Sequence, residues 1–279
     1  MKQVLFRIPL LNIPVYGFGL LVVIAFYVAL ALAISRSRRE RLDPSVVFDL
    51  AVVMLLGGMV GARLFYVIEY WGERVNTLGQ VFKVWEGGIV FYGGAFGGFL
   101  ALFLYRLIRP FPLLPTLDAV SPGVALGAGI GRIGCFLNGC CHGGVCSIPG
   151  LGVRFPRGSP PWLAERAREL IPADALWTLP LHPTQLYSAL DGLLLFLVLS
   201  AFYPLRRRDG EVFALLLLGY AVTRFVSELL RDDEAALASG LTIAQTISVL
   251  LFLSGVAFWS KLAEQPPHRY ADEAPAPAE

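Results

Sequence analysis

Apolar residues run through this chain in blocks of about twenty, separated by short polar connections that are often rich in arginine. A helix crosses the hydrocarbon of a bilayer with ~20 mostly apolar residues. Seven blocks meet that length, at roughly 12–35, 46–68, 88–108, 113–138, 184–203, 211–231 and 241–260. The pattern predicts an all-α polytopic membrane protein of about seven transmembrane helices. Glycines recur at four-residue spacing inside the blocks, at Gly57 and Gly61, Gly94 and Gly98, and Gly123, Gly127 and Gly131. Small residues at that spacing let helices approach closely in a membrane, so packing is the first reading of most of them.

Composition agrees with the pattern. Hydrophobic residues are 56% of the 279 and charged residues only 16%, whereas a soluble domain carries about 25% charged residues. A net charge of +2 gives no reason to expect a nucleic-acid partner. Four cysteines are too few for a disulfide scaffold of this length. Ala31-Leu32-Ala33 looks superficially like a signal-peptide cleavage site, but the apolar block is too long for a signal core. The arginines that follow at once, Arg36, Arg38, Arg39 and Arg41, favour a retained helix with a cytoplasmic end.

The same rule orients the rest. With the N-terminus outside, the inner connections hold Arg36–Arg41, Arg106 with Arg109, and Arg206–Arg208, and short basic loops belong in the cytoplasm. The expected organisation is one integral membrane domain, 1–264, with an extracytoplasmic head segment at about 139–183. A Pro/Ala-rich cytoplasmic tail, 265–279, is expected to be disordered.

Ionisable residues within a span are functional candidates, while those at span ends are not unusual. Arg63, Glu69, Asp118 and Asp191 fall near ends. Arg132 stands in Gly129-Ile130-Gly131-Arg132-Ile133-Gly134-Cys135-Phe136-Leu137-Asn138-Gly139, four glycines in eleven residues. Glycine admits close approach of a ligand, and the guanidinium fork suits phosphate. Tyr220, Arg224, Glu228 and Arg231 lie within about 80° of one another on a helix, and Arg224 can pair with Glu228 four residues on. His182-Pro183-Thr184-Gln185-Leu186-Tyr187 opens another block, with Thr184 or Gln185 placed to cap the helix or bind a headgroup.

Taken in order, these segments resemble the prolipoprotein diacylglyceryl transferase family. The resemblance rests on Tyr16-Gly17, the run from Gly87 through Tyr92 to Gly94, Gly131-Arg132-Ile133-Gly134, Asn138-Gly139, the His182–Tyr187 motif, and Arg224 with Glu228 and Arg231. It covers nearly the whole chain. It implies a multi-pass protein of the bacterial cytoplasmic membrane with seven helices, an outside N-terminus and a site open sideways to membrane lipid. The implied reaction moves the diacylglyceryl group of phosphatidylglycerol to the lipobox cysteine of a prolipoprotein signal peptide. A thioether forms, glycerol phosphate leaves, and no cofactor or metal is needed. Such chemistry calls for cations on the departing phosphate and for loss of the thiol proton. Arg132 and Arg224 fit the first need. Tyr16, Asn138, Gly139, Gln185, Tyr187, Tyr220 and Arg231 are the expected binding residues beside Arg132.

Three positions depart from the family pattern. Tyr92 stands where histidine is frequent, Cys135 where asparagine is, and Cys140 where glutamate is. With that histidine absent, His142 is the candidate base, its ordinary pKa of about 6.5 suiting a thiol proton near neutrality. Glu228 and the tyrosines Tyr16 and Tyr92 are its rivals. Cys135, Cys140, Cys141 and Cys146 admit a disulfide from Cys146 to Cys140 or Cys141, plain packing, or a metal, the last disfavoured by spacing unlike that of zinc sites. The competing functional class is a lipid-binding membrane transporter without covalent chemistry, since intramembrane arginines and glycine-broken helices occur there too. No internal repeat between the halves supports it.

Overall fold

A computed structural model describes residues 4–7, 14–83, 87–88, 90–231 and 240–273. The described residues are mostly helical. Two short strands, β1 (Val4–Arg7) and β2 (Pro14–Tyr16), pair antiparallel ahead of α1 (Gly17–Arg39). The chain continues through α2 (Pro44–Glu69), a single turn α3 (Leu78–Val81), α4 (Phe91–Ile108) and α5 (Leu113–Asn138). A segment carrying α6 (Pro160–Ala167) leads into α7 (Thr184–Phe202), followed by α8 (Glu211–Glu228), α9 (Ile243–Ala263) and a last turn α10 (Tyr270–Glu273). The strand pair is absent from the all-α expectation. It is four residues against three, too short for an alternating pattern to be read.

Among the described residues five helices are long and apolar enough to cross a membrane: α1, α2, α5, α7 with the turn after it, and α9. The apolar stretch Tyr92–Ile108 within α4 is shorter. α8 falls outside this set, and it carries Glu211, Arg224 and Glu228 in 18 residues. The protein is therefore a polytopic helical membrane protein, with five of the seven expected spans meeting length and apolarity on their own.

Apolar side chains gain nothing by leaving lipid for a neighbouring helix, so membrane helices associate by close packing of small residues. That is how these pairs meet. A Cβ placed on Gly61 would lie 2.8 Å from Gly97 Cα, and one on Gly97 2.9 Å from Gly61 Cα, which locks α2 to α4. Gly123 sits against the Ala29 carbonyl to join α5 to α1. Gly192 and Gly129 face each other between α7 and α5, where a Cβ on Gly192 would lie 2.7 Å from Gly129 Cα and N. Gly131 differs: nothing lies within 4 Å of its Cβ position.

At the end of the bundle away from Arg132, buried charges tie four segments together. Arg206 pairs with Glu40, lies 3.6 Å from Asp118 and stacks over the Tyr203 ring at 4.1 Å. Asp118 is fully buried and accepts the backbone N–H groups of Gly210 at 2.7 Å and Phe213 at 2.8 Å, satisfying donors that the start of α8 leaves open. Arg269 reaches Glu40 at 3.6 Å, and Tyr270 N–H donates to Asp209 at 2.6 Å. The stretch from Gln265 to Glu273, expected to be a disordered tail, is thus docked against the α7–α8 connection. Residues 274–279 lie outside the described residues.

Gly192→Ala should lower the thermal unfolding midpoint of the detergent-purified protein, because it overpacks a backbone contact at about 1–3 kcal/mol. Gly131→Ala should leave the midpoint unchanged or raise it, since its Cβ meets open space and alanine favours helix. Equal losses in the two variants would show that the α5–α7 contact is not the tight one.

Candidate functional site

The end of α5 sets the site. Gly139 caps the helix at φ +81°, a left-handed conformation that glycine adopts without strain. Its N–H returns to the Cys135 carbonyl at 2.9 Å, and Cys140 N–H reaches the same carbonyl at 3.2 Å. The chain thereby folds back over the last turn of the helix that carries Arg132. Cys141 follows in the left-handed region at φ +59°.

From there the backbone enters a three-way junction. Gly143 N–H donates to the His182 carbonyl, His182 N–H to the Gly144 carbonyl, and Gly144 N–H to the Leu230 carbonyl, each at 2.9 Å. Two buried side chains at the start of α7 complete it: Thr184 Oγ1 donates to the Cys141 carbonyl and Gln185 Nε2 to the Cys140 carbonyl, both at 2.8 Å. Neither caps its own helix. A Cβ on Gly143 would lie 2.6 Å from the Leu230 carbonyl oxygen and 2.7 Å from His182 Cβ. So the Arg132 loop, the His182–Tyr187 motif and the end of α8, far apart in sequence, are held as one unit by main-chain bonds. Gly143 and the Leu230 carbonyl went unrecognised in the sequence, where only the Gly143-Gly144 pair signals a close approach.

The cations within this unit are not equivalent. Arg224 pairs with Glu228 at 2.6 Å, and Arg231 Nε lies 3.8 Å from the same carboxylate oxygen. The Glu228 side chain is 1% exposed, and Thr242 Oγ1 at the start of α9 contacts its other oxygen at 3.4 Å. Arg132 is half-buried and makes no hydrogen bond or ion pair among the described residues. Cys141 links the two groups electrostatically. Hydrogen bonds from the Cys135 and Cys140 thiols, followed by the charges of Arg132 and Arg231, push its thiol below the ordinary range against the opposing effect of burial.

The remaining expected residues are more dispersed. Asn138 hydrogen-bonds to Cys140. Tyr16 is exposed at the start of α1, and Gly17 beside it closes on Leu137. Tyr187 O–H lies 3.4 Å from His182 Nδ1. Tyr220 is exposed one turn before Arg224. Gln185 is fully buried, and its Oε1 has no hydrogen-bond partner among the described residues. Tyr92 is exposed on the first turn of α4, a helix that packs on α2 rather than on the arginine-bearing helices.

His142 turns toward the segment that follows. Its ring faces Phe155 at 6.3 Å, and with Glu165 and Arg168 it lines a cavity of about 80 Å³. Burial pushes the Glu165 carboxyl above its usual range. No hydrogen bond joins His142 to Arg132, Arg224 or Arg231. Its Nδ1 lies 3.0 Å from the Gly143 carbonyl. A carbonyl only accepts, so Nδ1 carries the proton and Nε2 keeps a free lone pair. All four cysteines are free thiols. Of the alternatives open for the cysteines, the bridge from Cys146 is not made: Cys146 Sγ turns to the Ile148 carbonyl, whereas Cys135, Cys140 and Cys141 cluster together.

Fold and site together define a polytopic helical membrane protein with a cationic, glycine-lined cluster at one end. The family model for prolipoprotein diacylglyceryl transferase matches residues 3–261. The chain belongs to that family. It is 33% identical over 256 residues to a phosphatidylglycerol–prolipoprotein diacylglyceryl transferase of Clostridium tetani, covering 92% of this chain and 96% of the relative. A protein of the same name from Pasteurella multocida is 34% identical over 245 residues, covering 85% of this chain and 82% of its own. One from Synechococcus elongatus is 33% identical over 245 residues, covering 86% and 80%.

Proposed function

We propose that this protein transfers the diacylglyceryl group of phosphatidylglycerol to the cysteine thiol of a prolipoprotein. The thiolate attacks the glyceryl carbon that bears the phosphate. The carbon–oxygen bond breaks as the carbon–sulfur bond forms, and glycerol phosphate departs with the bonding pair. No cofactor enters this balance. The supporting observation is the junction that ties the loop after Arg132 to the end of α8, where Arg224 and Arg231 flank Glu228. A phosphate bound there gains charge as it leaves, and preorganised cations in a water-poor site stabilise that gain.

Arg132, with no partner among the described residues, is assigned the direct contact to phosphate. Arg224 is assigned the second contact, its fork oriented by Glu228. Glu228 is poorly suited as a base, since taking a proton would break the pairing that holds Arg224 in place. Asn138, Gly139, Gln185, Tyr16, Tyr187 and Tyr220 are assigned to the headgroup and to the incoming peptide. The buried, unpartnered Oε1 of Gln185 suits a glycerol hydroxyl. Tyr92, on α4, is assigned to the lipid side of the opening. His142 is assigned the thiol proton, because its tautomer leaves Nε2 able to accept one.

The acceptor enters sideways as a signal-peptide helix carrying a lipobox cysteine. All seven long helices are assigned as spans, with α8 carried across by its packing on α7 and α9. The N-terminus and the segment 139–183 lie outside and the Arg206 end faces the cytoplasm.

In a reconstituted assay, glycerol phosphate should be released from phosphatidylglycerol only when a lipobox peptide is present. Arg132→Ala should cut turnover by about 10²–10³-fold at unchanged protein level, the usual effect of losing a donor to developing charge. Arg132→Lys should rescue only part of that, because it keeps charge but loses the fork. Release without peptide, or near-normal turnover in Arg132→Ala, overturns the assignment.

His142→Gln should lose most turnover at neutral pH and regain part of it at higher pH, where the substrate thiol ionises unaided. An unaltered pH profile would place the base elsewhere.

For orientation, Arg207→Cys in a background without the four native cysteines should resist a membrane-impermeant thiol reagent in intact cells. A cysteine introduced at residues 160–170 should react. Labelling of Arg207→Cys from outside reverses the topology.

A further inference from the structure

The thiol cluster at the end of α5 is not used by the transfer reaction, because the acceptor peptide brings its own sulfur. Cys135, Cys140 and Cys141 place their Sγ atoms all within 4.8 Å of one another. Their spacing in sequence, one residue followed by a vicinal pair five and six positions on, is unlike that of ordinary zinc motifs. The helix cap overrides the spacing: the left-handed Gly139 sends Cys140 back onto the Cys135 carbonyl, and Cys141 follows in a left-handed conformation of its own. Thr184 and Gln185 then pin the carbonyls of Cys141 and Cys140 from α7. The thiols are thus gathered by backbone that is fixed from two helices.

We propose that Cys135, Cys140 and Cys141 form a three-sulfur site for a thiophilic d¹⁰ cation of the Zn²⁺ type. Sulfur ligands at ~2.3 Å from zinc stand about 3.8–4.0 Å apart in tetrahedral or trigonal geometry, so side-chain shifts of about 1 Å or less close the site. Soft thiolates select such ions over hard ones. The number of thiols favours a metal over a disulfide, which would use two and leave the third. Cys146 is outside the group, its Sγ directed to the Ile148 carbonyl 3.7 Å away. His142, next to Cys141, does not join the three sulfurs, because its ring is turned to Phe155 and its Nδ1 to the Gly143 carbonyl. A fourth position is left to solvent or to a small ligand.

The full-length protein, purified in detergent, reduced and desalted without oxygen, is titrated with Zn²⁺ and, for a spectroscopic signal, with Co²⁺. Saturation at one ion per chain is expected, with sulfur-to-cobalt charge-transfer absorption and release of thiol protons. Serine at Cys135, Cys140 or Cys141 should abolish the stoichiometric step, and Cys146→Ser should retain it. The wild-type chain gives an arm independent of any variant's folding: Zn²⁺ should protect these three thiols, and not Cys146, from alkylation mapped by mass spectrometry. Unprotected thiols at one equivalent of Zn²⁺, binding that survives Cys141→Ser, or a disulfide within the trio as the resting state of the isolated protein would each overturn the site.

Discussion

Close approach of backbones at glycine is the constraint on which this structure depends. In lipid a leucine is as well solvated as in a helix interface, so shape and distance decide which helices pair. Gly57, Gly61, Gly93 and Gly97 let α2 and α4 touch main chain to main chain, and Gly129 with Gly192 does the same for α5 and α7. α5 is central to the arrangement, packing on α1, α7 and α8. Its glycine-rich composition follows from that position: Gly123, Gly127 and Gly134 meet α1 and Gly129 meets α7, which leaves Gly131 as the one α5 glycine without a packed neighbour. Gly131 neither fills a contact nor favours helix, and it stands beside an arginine with no partner among the described residues. Under the proposed function a bound headgroup would use that space.

The site then forms as a consequence of pairing. Once α5 is fixed against α7, the left-handed cap at Gly139 and the close contact at Gly143 bring the loop under His182 and Leu230. The end of α8 is tied in by the Leu230 carbonyl and by Glu228 meeting Thr242 of α9. Short main-chain bonds, with the buried side chains of Thr184, Gln185 and Glu228, bridge these parts and allow little play. Such rigidity suits a reaction whose catalysis rests on cations already in place rather than on groups that move.

Much of the fold was legible because hydrophobic block length is a strong signal: all seven long helices lie on the blocks read from sequence, with shifts of a few residues at the ends. The number that qualify as spans was less so, because α8 mixes apolar residues with Glu211, Arg224 and Glu228, and only its neighbours can cover those charges. Within the site, the Arg224–Glu228 pair followed from helical spacing. The proximity of Cys135 to Cys140 and Cys141 did not, since it depends on two left-handed residues that turn the chain back, one of them a cysteine for which that conformation is unusual. The sequence offers Gln185 as a helix cap or headgroup ligand; it does not cap its own helix, and its Nε2 donates to the Cys140 carbonyl. A side-chain bond to a main-chain carbonyl 45 residues away leaves no mark in the sequence.

Buried arginines in this bundle are treated in opposite ways, and the contrast bears on function. Arg206 is neutralised by Glu40 and Asp118, and Arg63 spends its guanidinium on the carbonyls of Gln80, Val81, Gly87 and Gly88. In both cases the residue organises a connection. Around Arg132 the count does not close. Glu228 answers Arg224 and lies near Arg231, but no described carboxylate, carbonyl or hydroxyl answers Arg132. A half-buried cation in lipid without a counterion is expensive unless an anion is bound during function. Under the proposed reaction a lipid phosphate would supply that anion, and departing glycerol phosphate would carry more charge than bound phosphatidylglycerol does, which would favour the transition state over the ground state.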